Sequence, residues 1–111
     1  MAFKLNRVAN GVTTITVDGQ LIVVNRQELK QLVQDAIDRG ERKFLFDFTR
    51  TAYIDSSGLG ALVSISKRVR EAGGDLRLAG LNEDLRSLFE LTKLDTLFTI
   101  AETPAEALSG F

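Results

Sequence analysis

The run Lys43-Phe44-Leu45-Phe46-Asp47-Phe48 constrains this chain most. It is nearly continuous in apolar residues, the pattern of an inner strand with both faces covered. Such a strand needs a layer on each side, and the flanking sequence supplies candidates. Downstream, Leu59, Leu62, Val63, Ser66 and Val69 recur at helical spacing, with Lys67, Arg68, Arg70 and Glu71 on the opposite face. Upstream, Leu29, Leu32, Val33, Ala36 and Ile37 form a second apolar stripe, with Lys30, Gln31, Gln34, Asp35 and Asp38 on its wet side.

The other elements follow from local signals. Phe3 to Val8 and the β-branched run Val12 to Val17 flank Asn10-Gly11, which predicts an antiparallel hairpin. Asp18-Gly19 breaks the second strand, and Gln20 to Val24 reads as a return to extended structure. Asn25 with Glu28 predicts a capping box, and Val24 with Leu29 a hydrophobic staple, for a first helix that Gly40 ends. The second helix runs from Leu59 to about Ala72 and stops at Gly73-Gly74. Asp75 to Ala79 is a fourth strand. Asn82 caps a third helix, with Glu83 and Asp84 in its first turn, Lys93 at its end, and Leu85, Leu88 and Phe89 on its core side. Leu97 to Ala101 is a fifth strand, and Thr103-Pro104-Ala105-Glu106 opens a short last helix. The order β-β-α-β-α-β-α-β-α predicts an α/β fold as one domain over residues 1–111. Its single sheet is mixed but mostly parallel, with strand order following the chain. It has an N-terminal antiparallel hairpin and about four helices.

Between the inner strand and the second helix lies the corner Ile54-Asp55-Ser56-Ser57-Gly58-Leu59-Gly60. Asp55, Ser56 and Ser57 offer side-chain oxygens to the free N–H groups of a first helical turn. Gly58 and Gly60 each cost a helix roughly 1 kcal/mol against alanine. They make sense if a sheet beneath or a partner outside approaches the backbone closely. On this reading alanine at either position leaves stability similar or higher and weakens binding. A helix N-terminus also favours an anion such as phosphate. The serines therefore read either as plain helix caps or as a phosphorylation switch.

Composition removes several function classes. The chain has no cysteine and no histidine, so disulfides, thiolate metal sites, zinc motifs and Ser-His-Asp or Cys-His catalysis are excluded. Asp47 and Asp55 are poorly placed as a catalytic carboxylate pair, and Gly58-Leu59-Gly60 lacks the Gly-Lys-Ser/Thr ending of a phosphate loop. No cofactor and no metal are expected. A net charge of −1 without a basic cluster argues against nucleic acid, and Phe44, Phe46, Phe48 and Phe89 sit at core spacings. No apolar run reaches the roughly 18 residues of a membrane span. The N-terminus does not read as a signal peptide, so a cytoplasmic protein without direct membrane insertion is expected.

The stretch Tyr53-Ile54-Asp55-Ser56-Ser57-Gly58-Leu59-Gly60, set between a strand and an amphipathic helix, resembles the signature of STAS domains, and of their anti-sigma factor antagonist branch in particular. Gly73-Gly74-Asp75-Leu76-Arg77-Leu78-Ala79 and the segment Leu85 to Leu94 are similar to the family's fourth strand and third helix. The resemblance implies a regulatory protein, not an enzyme. It implies binding to an anti-sigma factor that is also a serine kinase of histidine-kinase-like ATPase fold, with release of a sigma factor. It further implies that phosphorylation of Ser56 blocks binding and that a PP2C-type phosphatase reverses it. The partner surface is expected to include Asp55, Ser56, Ser57, Gly58, Leu59 and Gly60, together with Leu21, Ile22 and Asn25.

One departure bears on that cycle. The family commonly carries a Gly-Glu-Leu-Asp pattern at the end of the second strand, and its aspartate lies near the phosphoserine and aids kinase recognition. Here the stretch is Gly19-Gln20-Leu21-Ile22, with both carboxylates replaced. Ile22 and Val23 are then offered to an apolar partner, and Asn25 is the nearest polar substitute. The alternative is a STAS module that is not phosphorylated and serves as a scaffold or subunit of a larger signalling or membrane-transport assembly.

Overall fold

The computed structural model describes residues 2–111. Its elements in chain order are β1 Phe3–Val8, β2 Val12–Val17, β3 Gly19–Leu21, α1 Arg26–Asp38, β4 Lys43–Asp47, β5 Thr51–Ile54, α2 Ser56–Glu71, β6 Asp75–Ala79, α3 Glu83–Leu91, β7 Thr99–Ala101 and α4 Pro104–Ser109. Five strands form the main sheet in the order β1-β2-β4-β6-β7, which follows the chain as expected. The β1–β2 pair is antiparallel and the other pairs are parallel. The hairpin turns with both Asn10 and Gly11 in the left-handed region (φ 72° and 74°), the conformation that Asn-Gly favours.

The central strand β4 is covered on both faces. Phe44, Phe46 and Phe48 enter the larger core with Leu29, Val33 and Ala36 of α1, Leu62, Ile65 and Val69 of α2, and Leu85 and Phe89 of α3. Leu45 points the other way, into a smaller cluster with Val12, Ala79 and Ala107 of α4. Three helices thus cover one face, and the short α4 covers part of the other. Edge-to-face pairs Phe46–Phe48 and Phe89–Phe98, with centroids 6.3 and 6.0 Å apart, add specific packing to this burial.

Five sequence expectations change. The extended run expected over Gln20 to Val24 ends at Leu21, and the chain then turns, with the Asn25 and Arg26 N–H groups donating to Ile22 O. The sheet is not single, because β3 and β5 form a separate two-stranded parallel sheet. β5 escaped the sequence reading because its burial does not alternate. A register shift between Gly19 and Gln20 leaves Ala52 and Tyr53 both outside while Thr51 and Ile54 are buried. The fifth main-sheet strand starts at Thr99 rather than Leu97, since Leu94–Thr96 forms a 3-10 turn closed by the Leu97 N–H. The helix after the corner begins at Ser56, not Leu59. The capping box and staple at α1 do not form: Asn25 makes no side-chain cap, and Val24 is 84% exposed.

A buried carboxylate stands apart from the corner. Glu41, 5% exposed at its side chain, accepts from the Thr13 hydroxyl and lies 3.2 Å from both the Arg7 and Arg39 guanidinium groups. Burial alone would raise its pKa. The Thr13 hydrogen bond and the two arginines outweigh burial and hold the carboxyl below its usual range.

Candidate functional site

The β3–β5 pair and the α2 N-terminus lie beyond the carboxyl ends of β2 and β4, where open α/β sheets commonly place their sites. The Gly19 N–H donates to Arg50 O at 3.0 Å, and the Asp55 N–H donates to Leu21 O at 3.2 Å. The buried Thr51 hydroxyl ties β5 back to β2 through Val17 O at 2.6 Å, and Asn82 Nδ2 reaches Thr51 O at 3.3 Å from the head of α3. These bonds hold the corner on the sheet.

Asp55 is the N-cap of α2. Its Oδ1 accepts from the Gly58 N–H at 2.7 Å, and its Oδ2 accepts from the Val23 N–H at 3.2 Å. One carboxylate therefore closes the helix and also holds the 22–25 turn against it. Asn25 clamps that turn from within: its Oδ1 accepts from the Ile22 N–H and its Nδ2 donates to Gln20 O, each at 2.9 Å. This use of the side chain is why Asn25 cannot cap α1.

With Asp55 capping, the serines are left free of that duty. Ser56 is exposed, Ser57 half-buried, and the Ser56 hydroxyl takes no hydrogen bond among the described residues. The two glycines part company. A methyl on Gly58 would lie 2.4 Å from the Leu21 carbonyl oxygen, 2.9 Å from Ile54 Cγ2 and 3.0 Å from Leu21 Cγ. A methyl on Gly60 meets no atom within 4 Å outside its own helical turn. Gly58 thus serves the sheet beneath, and Gly60 leaves bare backbone facing outward. The expectation that alanine is tolerated at Gly58 is corrected by this contact; at Gly60 there is room for it.

The other residues expected at the surface divide in the same way. Leu21 is fully buried and Leu59 nearly so, so their side chains support the corner from the core rather than present it. Gln20 is exposed, Ile22 and Asn25 half-buried. Val23 and Tyr53, by contrast, are 56% and 54% exposed and flank the same corner. Tyr53 lies opposite Gln20 in the β3–β5 register. Sequence reasoning offered Val23 to an apolar partner but placed Val24 in a staple and Tyr53 within a motif; the absence of any charge from Gly19 to Asn25 is the signal that extends the reading to Val24.

The acidic side chain of the corner is that of Asp55. Its carboxylate is engaged by two N–H groups, and the corner's remaining polar groups are hydroxyls, the Gln20 and Asn25 amides and backbone. Among the described residues no cluster of His, Cys, Asp or Glu has metal-binding geometry, and no helix is long and apolar enough to cross a membrane. The arrangement suits recognition and modification at a helix N-terminus.

The chain is similar to several known proteins. A candidate anti-sigma factor antagonist of Bordetella bronchiseptica, BtrV, is 32% identical over 108 residues, covering 90% of this chain and 93% of the relative. The anti-sigma-B factor antagonist of Staphylococcus aureus is 28% identical over 88 residues, covering 79% of this chain and 82% of the relative. The crystal structure of a candidate anti-sigma factor antagonist from Thermotoga maritima superposes with a TM-score of 0.90 at 28% identity, covering 97% of this chain and 92% of that one. The STAS domain family model matches residues 4–107, and the chain belongs to the STAS domain family.

Proposed function

We propose that this chain is an anti-sigma factor antagonist that binds an anti-sigma factor through the Ser56 corner, frees a sigma factor, and is switched off by phosphorylation of Ser56. The observation that carries the reading is an exposed Ser56 beside an Asp55 that caps the helix in its place. The serine can be modified without removing the cap. Phosphate would add roughly −1.5 to −2 charges next to Asp55. The α2 N-terminus tolerates that charge within the fold, whereas a partner packed on the corner would have to desolvate it. The names of the relatives support the same role. The partner is a serine kinase of histidine-kinase-like ATPase fold, and a PP2C-type phosphatase resets the switch. The protein itself acts as a binding module, not an enzyme.

One observation favours a second reading. Gln20 and Ile22 leave this side of the corner without a carboxylate, which suits a STAS module that is never phosphorylated and acts as a scaffold or subunit. Incubation with the anti-sigma kinases of the same genome and ATP, followed by intact mass, separates the two. The switch reading expects one phosphate, abolished in Ser56→Ala and accepted faster in Ile22→Asp. Phosphate on neither the wild type nor Ile22→Asp supports the scaffold and ends the switch reading. Phosphate on Ser57 would move the assignment.

A further inference from the structure

We infer that Val23, Val24 and Tyr53 form an apolar docking patch continuous with the Ser56 corner, and that the anti-sigma factor covers it with an uncharged, apolar surface of its own. The inference rests on the antagonist reading above and names the chemistry of its interface. Three observations carry it.

The first is exposure without local cause. Val24 follows the spacing of a helix staple yet stands 84% exposed, and Val23 and Tyr53 are more than half exposed. Three exposed apolar side chains on the two segments that flank the corner suit a surface that is covered in use. The second is attachment. The Val23 N–H is held by the carboxylate that caps α2, at 3.2 Å, and the Asn25 side chain pins the turn at both Gln20 and Ile22. The valines are therefore presented in a fixed place beside Ser56. The third is charge. From Gly19 to Asn25 the chain carries none, and the charges at its ends are Arg26 and an Asp18 already paired with Arg50 at 3.5 Å.

This chemistry also accounts for the switch. A phosphate on Ser56 would sit at the margin of an apolar contact. It would have to lose water there without gaining a cation in exchange, and the complex would dissociate even from a partner that is not acidic. Asp55 acts in this scheme as a positioning residue, because it holds the Val23 turn rather than touching the partner.

The test measures the affinity of the full chain for each anti-sigma kinase of the same genome, at low and high salt. The variants are Val24→Asp, Tyr53→Ser and Ser56→Asp, with Lys30→Ala on the wet side of α1 as control. The expected result is a wild-type Kd that changes little with salt, a loss of about tenfold or more in Val24→Asp and in Tyr53→Ser, and no change in the control. Val24 packs on little, so its variant keeps the wild-type melting temperature; Tyr53→Ser checks the patch from a second element. If Ser56→Asp weakens binding while Val24→Asp and Tyr53→Ser bind like wild type, the patch is refuted and the antagonist reading stands. A strongly salt-dependent wild-type Kd likewise overturns the apolar interface alone. Binding of the wild type to none of these kinases overturns both.

Discussion

Replacing Gly58 by alanine places one methyl 2.4 Å from the Leu21 carbonyl oxygen, in the seam between α2 and β3. An ordinary contact begins near 3.4 Å, so β3 or the helix must retreat by roughly 1 Å. The obstruction is backbone and cannot swing aside like a flexible side chain. The same carbonyl accepts the Asp55 N–H at 3.2 Å, so the retreat also strains the bond that seats the corner. Overpacking costs about 1–3 kcal/mol and a lost hydrogen bond about 1 kcal/mol. The helix preference of alanine returns about 1 kcal/mol. The net is a loss on the order of 1–3 kcal/mol. At Gly60 only the helix preference remains, a gain of up to about 1 kcal/mol. Urea unfolding of wild type, Gly58→Ala and Gly60→Ala, with unchanged m, reads both values directly. Gly60→Ala should be at least as stable as wild type and still bind the partner more weakly, since its methyl stands on the outer surface of the corner. A Gly58→Ala protein as stable as wild type would refute the close approach of α2 to β3 as the reason for this glycine. A destabilised Gly60→Ala would refute the open surface above it.

Other predictions follow from single contacts. Asp55→Ala should lose about 1 kcal/mol as a helix cap, whereas Ser56→Ala should stay within about 0.5 kcal/mol of wild type; thermal melts of the pair check this, and the reverse order would return the cap to Ser56. The Glu41 carboxyl is held below its usual range when folded, so its contribution is present above the unfolded value of about 4.3 and is lost as pH falls through the folded value. The stability gap between wild type and Glu41→Gln should therefore narrow in acid from about pH 4.3 downward, measured by urea midpoints; a gap that does not change with pH would show that the charge is not what Arg7, Arg39 and Thr13 stabilise.

The main sheet was legible because its signals are local and repeated. β4 announces itself by Phe44 and Phe46, with Phe48 just beyond its end, and the hairpin by Asn10-Gly11. What failed depended on partners distant in sequence or on a competing local turn. Thr51 to Ile54 is too short to show a period, and it is a strand only because Gly19 to Leu21 lies beside it. Asn25 has the right residue type for a cap, yet the turn closed by Ile22 and Gln20 claims its side chain. The Thr13–Glu41 bond joins groups 28 residues apart and has no local signature. At the corner the residue types pointed to a capped helix N-terminus with close approach. They did not show that Asp55 would do the capping or that the two glycines would face opposite ways, because both depend on where β3 lies.

The central claim is that the Ser56 corner is the surface by which this chain engages an anti-sigma factor, and that charge there ends the engagement. Binding of Ser56→Ala and Ser56→Asp to the anti-sigma kinase that binds the wild type tests it most directly. Neither substitution removes the Asp55 cap, so both variants should remain folded. The account predicts that Ser56→Ala binds as the wild type does and that Ser56→Asp binds at least about tenfold more weakly. Equal affinity for the two variants would contradict it.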